Sequence, residues 1–389
     1  MSRFRCLSLA IALLLTVPQM GCIRESGNNL PIAQAGEPNL NSDKIAQLQS
    51  LIDRVVKTEN IPGIVLYVST PDTTWSGAAG VANLANRKPV KTSDRFRIGS
   101  ITKTFVAVVI LQLYEAGEIS LEDAIADWLP EEISEQLANS EEITIRQLLN
   151  HTSGLADYLD NDDFFADFEE EPGYEWTAEE VLEYVYLLET VAEPDTEFYY
   201  ANTNYILLEA IVEAVTGNTL AQELRDRIYT PLGLDNTFME IQENIPDRFV
   251  SGYDDWDGDG KRDNVTDLEP WGLGDGGIIS TASDLATFLQ ALFLKEELLE
   301  PETLDEMLEF IDDGEGDEYG LGLSNIETDW GQAWGHSGST GGFLSTIMYL
   351  PDYDISVVVL TNCADAGDPD EIAETALKRV FGTVFILEK

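Results

Sequence analysis

Histidine is almost absent from this chain: His151 and His336 are the only two among 389 residues. No H-E-x-x-H occurs, so the zinc hydrolase that depends on paired imidazoles is excluded. Cysteine is equally scarce, limited to Cys6, Cys22 and Cys363. That set builds neither a disulfide framework nor a thiolate metal site. Cys363 follows an apolar run and reads as a buried structural thiol. No G-x-S-x-G is present, which counts against the α/β-hydrolase elbow. Cations are few as well: 22 Lys and Arg stand against 72 Asp and Glu, and 22 − 72 gives a formal charge of −50. Such a surface repels nucleic acid and anionic lipid. The acid is spread along the chain, and 44% hydrophobic content is enough to fill a core rather than leave it disordered. The acidity reads as a solvated surface suited to high salt, where self-repulsion is screened.

What is present begins with a targeting segment. Arg3 and Arg5 precede the apolar run Leu7 to Val17, which suits a signal peptide and is too short for a good membrane span. Gln19-Met20-Gly21-Cys22 follows and resembles a bacterial lipoprotein cleavage box, with Gln19 where such boxes usually carry Leu. Residues 1–22 are therefore expected to direct secretion to a bacterial cell envelope, with Cys22 as lipid anchor. The alternative is ordinary secretion with Cys22 incidental. Residues 23–42 read as a tether.

Two ends of the chain look alike. Ile45, Leu48, Ile52 and Val55 recur at helical spacing behind Ser42 as N-cap, and Ile64 to Val68 with Thr74 to Val81 reads as a hairpin. Near the C-terminus, Phe343 to Leu350 and Ile355 to Leu360 flank a turn and precede a helix, Glu371 to Phe381. The middle is mostly helical. The expected architecture is α+β: residues 43–118 and 286–389 form an antiparallel sheet flanked by helices, and 119–285 form an inserted all-helical domain.

The chemistry centres on Ser100-Ile101-Thr102-Lys103, the only S-x-x-K in the chain. Spaced three apart at the start of a helix, hydroxyl and amine share a face and can touch. The helix that follows is apolar nearly all round from Phe105 to Tyr114 and closes at Gly117, so it is central and its start is firmly held. Lys103 would act as base, or stay charged and activate a second group. Tyr200-Ala201-Asn202 supplies a phenol and an amide; its plainer reading is a turn before the helix Tyr205 to Val215, with Asn202 or Thr203 as cap. His336-Ser337-Gly338-Ser339 follows the strand-like Gln332 to Gly335. Its glycine would let a substrate backbone lie along a strand edge, and its plainer reading is a Gly/Ser-rich turn.

S-x-x-K, then Y-x-N, then H-x-G resembles the serine β-lactamase and D-alanyl-D-alanine carboxypeptidase superfamily, and within it the class C β-lactamase-related branch. Leu148 to Leu155 and Gly276 to Leu285 resemble the same branch, over roughly residues 43 to 381. The resemblance implies a serine hydrolase in which Ser100 forms an acyl-enzyme and Lys103 and Tyr200 share the proton traffic, Tyr200 as the favoured base. Asn202, His336, Gly338 and Ser339 would bind substrate, and the amides of Ser100 and Ser339 would form the oxyanion hole. The implied substrate is a small peptide, β-lactam or ester, handled with no cofactor. His336 stands where many β-lactamases carry lysine. It holds no fixed charge at neutral pH, which tilts the expectation from β-lactam hydrolysis toward a D-Ala-D-Ala carboxypeptidase, D-peptidase or esterase. A non-catalytic penicillin-binding sensor is the alternative class, and the full proton relay argues against it.

Four other signals have simpler explanations. His151 invites a Ser-His-Asp reading but lies in a stretch that is structural in the resembling family. Gly272-x-Gly274-x-x-Gly277 matches a dinucleotide fingerprint without its βαβ setting and reads as a turn feeding a helix, with Thr281 and Asp284 as a capping pair. Asp255, Asp257, Asp259 and Asp263 form either a structural calcium loop or a solvated acidic loop. In the acidic, aromatic stretch Asp157 to Glu180, Phe164, Phe165 and Phe168 either border the cleft or pack within the insert.

Overall fold

The computed structural model describes residues 38–246, 249–314 and 316–382. Cys22 and the expected signal segment lie outside them. Among the described residues no helix is long and apolar enough to cross a membrane.

The apolar runs near both ends join one nine-stranded antiparallel sheet. From edge to edge its strands are Lys88–Pro89, Thr74–Asn83, Gly63–Ser69, Ile355–Thr361, Phe343–Leu350, Gly331–Thr340, Ser324–Thr328, Glu318–Tyr319 and Ile311–Asp312. The strand Gly63–Ser69 sits between its hairpin partner and Ile355–Thr361, with Val65 opposite Leu360 and Tyr67 opposite Val358. Both faces are apolar, because both are covered. Ile64, Leu66, Val68, Val357 and Val359 face the helices Ser42–Thr58 and Pro369–Phe381, while Val65, Val358 and Leu360 face the larger core. The period-two alternation of β side chains produces this division.

Capping chemistry sets the helix ends. The first helix is capped by Asn41, whose side chain accepts from the Lys44 amide; the expected cap, Ser42, is the helix's first residue. Asn41 takes the role because its backbone is extended and its short amide reaches the third amide on. Asp368 caps the last helix and starts it two residues earlier than hydropathy suggests, at Pro369.

The stretch between the two halves of the sheet is mostly helical but also carries short strands. Phe96–Arg97, Ile278–Ser280 and Phe238–Met239 form a small sheet in that spatial order, with Ile278–Ser280 in the middle. The glycines at 272, 274 and 277 feed this middle strand first, and only then the helix Ala282–Leu289, capped by Thr281 on the Asp284 amide. The expected direct passage from turn to helix is thus corrected. Strands of two or three residues are too short to leave a hydropathy period.

Candidate active site

Ser100 lies in a tight turn, Gly99–Ile101, that runs directly into the helix Thr102–Glu115. Residues 102 to 111 of that helix are all buried, so its start cannot shift without moving the core. Gly117 ends it in the left-handed region at φ 68°. The turn is pinned from two sides: Ile98 donates to the Ile278 carbonyl, and the Ile278 amide donates to Thr102 Oγ1.

The sheet reaches the same place through Gly331–Thr340. The His336-Ser337-Gly338-Ser339 segment is strand, not turn, paired residue by residue with Leu344 to Ile347. Pairing with a buried apolar neighbour overrides the Gly/Ser composition. Its glycine is used from within: a Cβ at Gly338 would lie 2.0 Å from the Ile98 carbonyl oxygen. On that face the strand packs directly against the segment leading into the Ser100 turn. Gly99, at φ 52°, lets the Ser339 backbone close in, since a Cβ there would meet the Ser339 nitrogen at 2.7 Å. The backbone of Ser339, an exposed residue, therefore stands beside the turn that carries the half-buried Ser100.

Lys103 is fully buried and its ammonium has three acceptors: Ser100 Oγ at 3.1 Å, Asn202 Oδ1 at 2.7 Å and the Asp275 carbonyl at 2.7 Å. An ammonium carries three donors, so the set is complete. Asn202 thus does not cap the helix Thr203–Thr216 with its side chain; the amide is turned to Lys103 instead. Tyr200 stands beside them, its ring centroid 5.0 Å from Lys103 Nζ. The Tyr200 hydroxyl is buried with no hydrogen-bond partner, which leaves it free to pass a proton to or from a bound molecule.

His151 is the wall behind Tyr200, buried and stacked on it at 4.2 Å between centroids. Its Nδ1 accepts from the Ala201 amide, and burial with nearby Lys103 holds its pKa well below the usual range. His336 is buried too: Nδ1 lies 2.6 Å from the Ser337 carbonyl and Nε2 3.0 Å from the Tyr319 hydroxyl. Those partners fix the proton on Nδ1 and make Nε2 the acceptor. Burial and Lys103 push the His336 pKa down to about 3, so the ring is neutral.

Sequence reasoning missed the supporting carboxylates. Asp157 Oδ2 accepts from Asn202 Nδ2 at 2.8 Å and from the Asn202 amide at 3.0 Å. Asp275 accepts from the Tyr158 hydroxyl and from Trp271 Nε1. Burial raises the Asp157 pKa to about 6 against the opposing effect of the Asn202 amide, and burial raises Asp275 as well. Phe164 packs in the insert against Tyr158, Trp176 and Trp271, while Phe168 reaches Trp256. Of the acidic loop, Asp255, Asp257 and Asp259 converge within 4.8 Å. Asp263 is drawn away by pairing with Asp254 in a two-stranded ladder.

A seryl hydroxyl on a lysine ammonium, with a free phenol alongside and a strand backbone opposite, is the apparatus of an acyl-transferring serine hydrolase. The Beta-lactamase family model matches residues 48–380, and the chain belongs to that family. It is 28% identical over 348 residues to penicillin-binding protein 4* of Bacillus subtilis (strain 168), covering 83% of this chain and 73% of that protein. It is 28% identical over 321 residues to a D-aminopeptidase of Brucella anthropi, covering 80% of this chain and 57% of that enzyme. Among solved structures, a D-stereospecific amidohydrolase from Streptomyces sp. superposes with TM-score 0.76 at 31% identity, over 86% of this chain and 98% of that one.

Proposed function

We propose that this serine hydrolase cleaves amide or peptide bonds of D-amino acid substrates through an acyl-enzyme on Ser100. The observation that carries the chemistry is the buried Lys103 ammonium on Ser100 Oγ, with the unpartnered Tyr200 hydroxyl next to it. As Ser100 attacks the carbonyl and the C–N bond breaks, the Tyr200 hydroxyl accepts the seryl proton and passes its own proton to the departing amine. Lys103 stays protonated and holds Ser100 Oγ in place, while the amides of Ser100 and Ser339 hold the oxyanion. Water then repeats the sequence on the ester.

Site charge narrows the substrate. A penicillin or a peptide ending in D-Ala-D-Ala presents a carboxylate, which calls for an unspent cation. Lys103 has used all its donors, and Arg97 is committed to Glu240 and the Thr266 carbonyl. His336 is neutral. Beside the end of the same strand, the half-buried Glu269 carboxylate lies over Gly341, where any side chain would overlap it. Above about pH 7, where Glu269 ionises despite its burial, a carboxylate there favours a substrate with a free ammonium group, as in the D-aminopeptidase and D-amino acid amidase relatives. The carboxypeptidase reading has its own support in the penicillin-binding relatives.

One comparison tests all of these. Wild type and Ser100→Ala are assayed on D-amino acid amides, an N-acylated D-Ala-D-Ala peptide, a penicillin and a p-nitrophenyl ester, with intact mass read after brief mixing. Ser100-dependent release of ammonia from the D-amides is the expected result. Turnover of the acylated peptide alone would shift the assignment to carboxypeptidase, and of the ester alone to esterase. Folded wild type that acylates with none of them would overturn the mechanism. We also propose secretion and a lipid anchor at Cys22, supported by the sequence of residues 1–22; Cys22→Ala should abolish incorporation of radiolabelled palmitate.

A further inference from the structure

Two of the three acceptors of Lys103 are themselves held by consecutive residues of one turn. We propose that Asp157 and Tyr158 are positioning residues, acting through Asn202 and Asp275 to aim the Lys103 ammonium at Ser100. This rests on Ser100 being the acylated residue.

The carboxamide of Asn202 has two ends of nearly equal size, and only one of them can accept from an ammonium. Asp157 decides which end faces Lys103. As an acceptor, its Oδ2 takes the Nδ2 end at 2.8 Å and leaves Oδ1 directed at Lys103 Nζ, 2.7 Å away. An asparagine at 157 would offer both a donor and an acceptor, and the choice would be lost. Tyr158 does the corresponding work for the carbonyl of residue 275. Its hydroxyl donates to Asp275 Oδ2 at 2.9 Å, Trp271 Nε1 donates to Oδ1 at 2.7 Å, and the backbone oxygen of the clamped residue receives Lys103 at 2.7 Å.

The turn that carries the pair is itself fixed. Asp157 caps it through the Leu159 amide, and the Tyr158 amide donates to Thr203 Oγ1, the residue after Asn202. Asp157 and Tyr158 are both buried, so neither side chain is exposed enough to serve as a surface contact. Remove either hold and the ammonium keeps its charge but loses its direction. A misplacement of about 1 Å in such an apparatus costs about 100-fold in rate.

Ionisation of Asp157 gives the arrangement a pH signature. The titratable groups that act on it or feel it are Lys103 from the nucleophile helix, Tyr199 from the segment before Tyr200, and Tyr158 and Asp160 from its own turn. Burial raises its own value to about 6, in the mildly acidic range.

The test follows the rate of Ser100 labelling by a fluorophosphonate from pH 4.5 to 9 in the full chain, for wild type, Asp157→Asn and Tyr158→Phe, with circular dichroism melts alongside. Wild type should show an acid limb near pH 6. Asp157→Asn should label about 100-fold more slowly and lose that limb, and Tyr158→Phe should slow about 10-fold while keeping it. For turnover of a D-amino acid amide, kcat should fall with KM nearly unchanged. A labelled wild type whose Asp157→Asn variant keeps both rate and limb overturns the positioning role. So does a rate loss that matches only the unfolded fraction; if Asp157→Asn does not fold, an unchanged Tyr158→Phe decides against it. Wild type that never labels at Ser100 overturns instead the assignment of the nucleophile, and this inference with it.

Discussion

Gly99 shows how a residue with no side chain shapes the chemistry beside it. Its φ of 52° is costly for any L-residue, and a Cβ would fall 2.7 Å from the Ser339 nitrogen and 2.8 Å from the Ser339 oxygen. Gly99→Ala should therefore move strand and nucleophile apart. The expected result is a fall in kcat of about 100-fold, larger than any change in KM, with a lowered melting temperature. Wild-type kcat in that variant would show that Ser339 need not approach Ser100. The proposed reacting residues were legible because each motif is local: Ser100 and Lys103 are three apart, and Tyr200 and Asn202 are two apart. Their supports are not local. Asp157 is 45 residues from Asn202, and Asp275 is 172 from Lys103, so only the folded chain brings them together. The composition of Asp157 to Glu180 left open whether that stretch borders the cleft or packs within the insert, and it could not single out one carboxylate among many.

At the scale of elements, long strands and helices were legible and short ones were not. Phe343–Leu350 falls where hydropathy places it, as does the body of the last helix, because an apolar run with a cap or turn at its end has few other solutions. The strand through His336 to Thr340 was not, because Gly338 answers to a close neighbour and not to β-propensity. Nor was the small sheet that braces the nucleophile turn. Its outer strands are tied across Ile278–Ser280 by Arg97 and Glu240, which meet in a bidentate pair at 2.7 and 2.8 Å, with Arg97 2% exposed. Arg97 also lies 5.3 Å from the Phe249 ring and 5.7 Å from the Phe343 ring. Glu240→Leu would leave that guanidinium buried and uncompensated, at a cost of about 3–5 kcal/mol. Urea denaturation should record it as a lower midpoint with an unchanged slope. A loss below about 1 kcal/mol would mean the small sheet holds without the pair.

Over the whole molecule, a formal charge of −50 and a set of buried carboxylates push stability in one direction. Burial raises the pKa of Glu209 to about 8, of Glu269 to about 7 and of Asp157 to about 6, all above their values in an unfolded chain. A carboxyl with a raised folded-state pKa binds its proton more tightly when folded. Its contribution is complete below the unfolded value and is lost as pH rises through the folded one. Stability should accordingly fall as pH climbs from about 5 to about 8. The surface adds self-repulsion throughout that range, since ordinary carboxylates are already charged by about pH 5. Salt opposes the surface part: the screening length shortens from about 10 Å at 0.1 M to about 3 Å at 1 M, while buried groups are screened much less. The melting temperature should therefore be higher at pH 5.5 than at pH 8 in 0.1 M KCl. Raising KCl to 2 M should raise the melting temperature at both pH values and leave most of the difference between them, which belongs to the buried groups. A melting temperature at pH 8 that ignores salt would show that the acidity is not destabilising, and a lower one at pH 5.5 would reverse the sign assigned to the buried carboxylates. Activity should run the other way through the same window, because Asp157 holds Asn202 as a carboxylate. The protein is then most stable where its lysine is least well aimed, and the pH of greatest turnover lies above the pH of greatest stability.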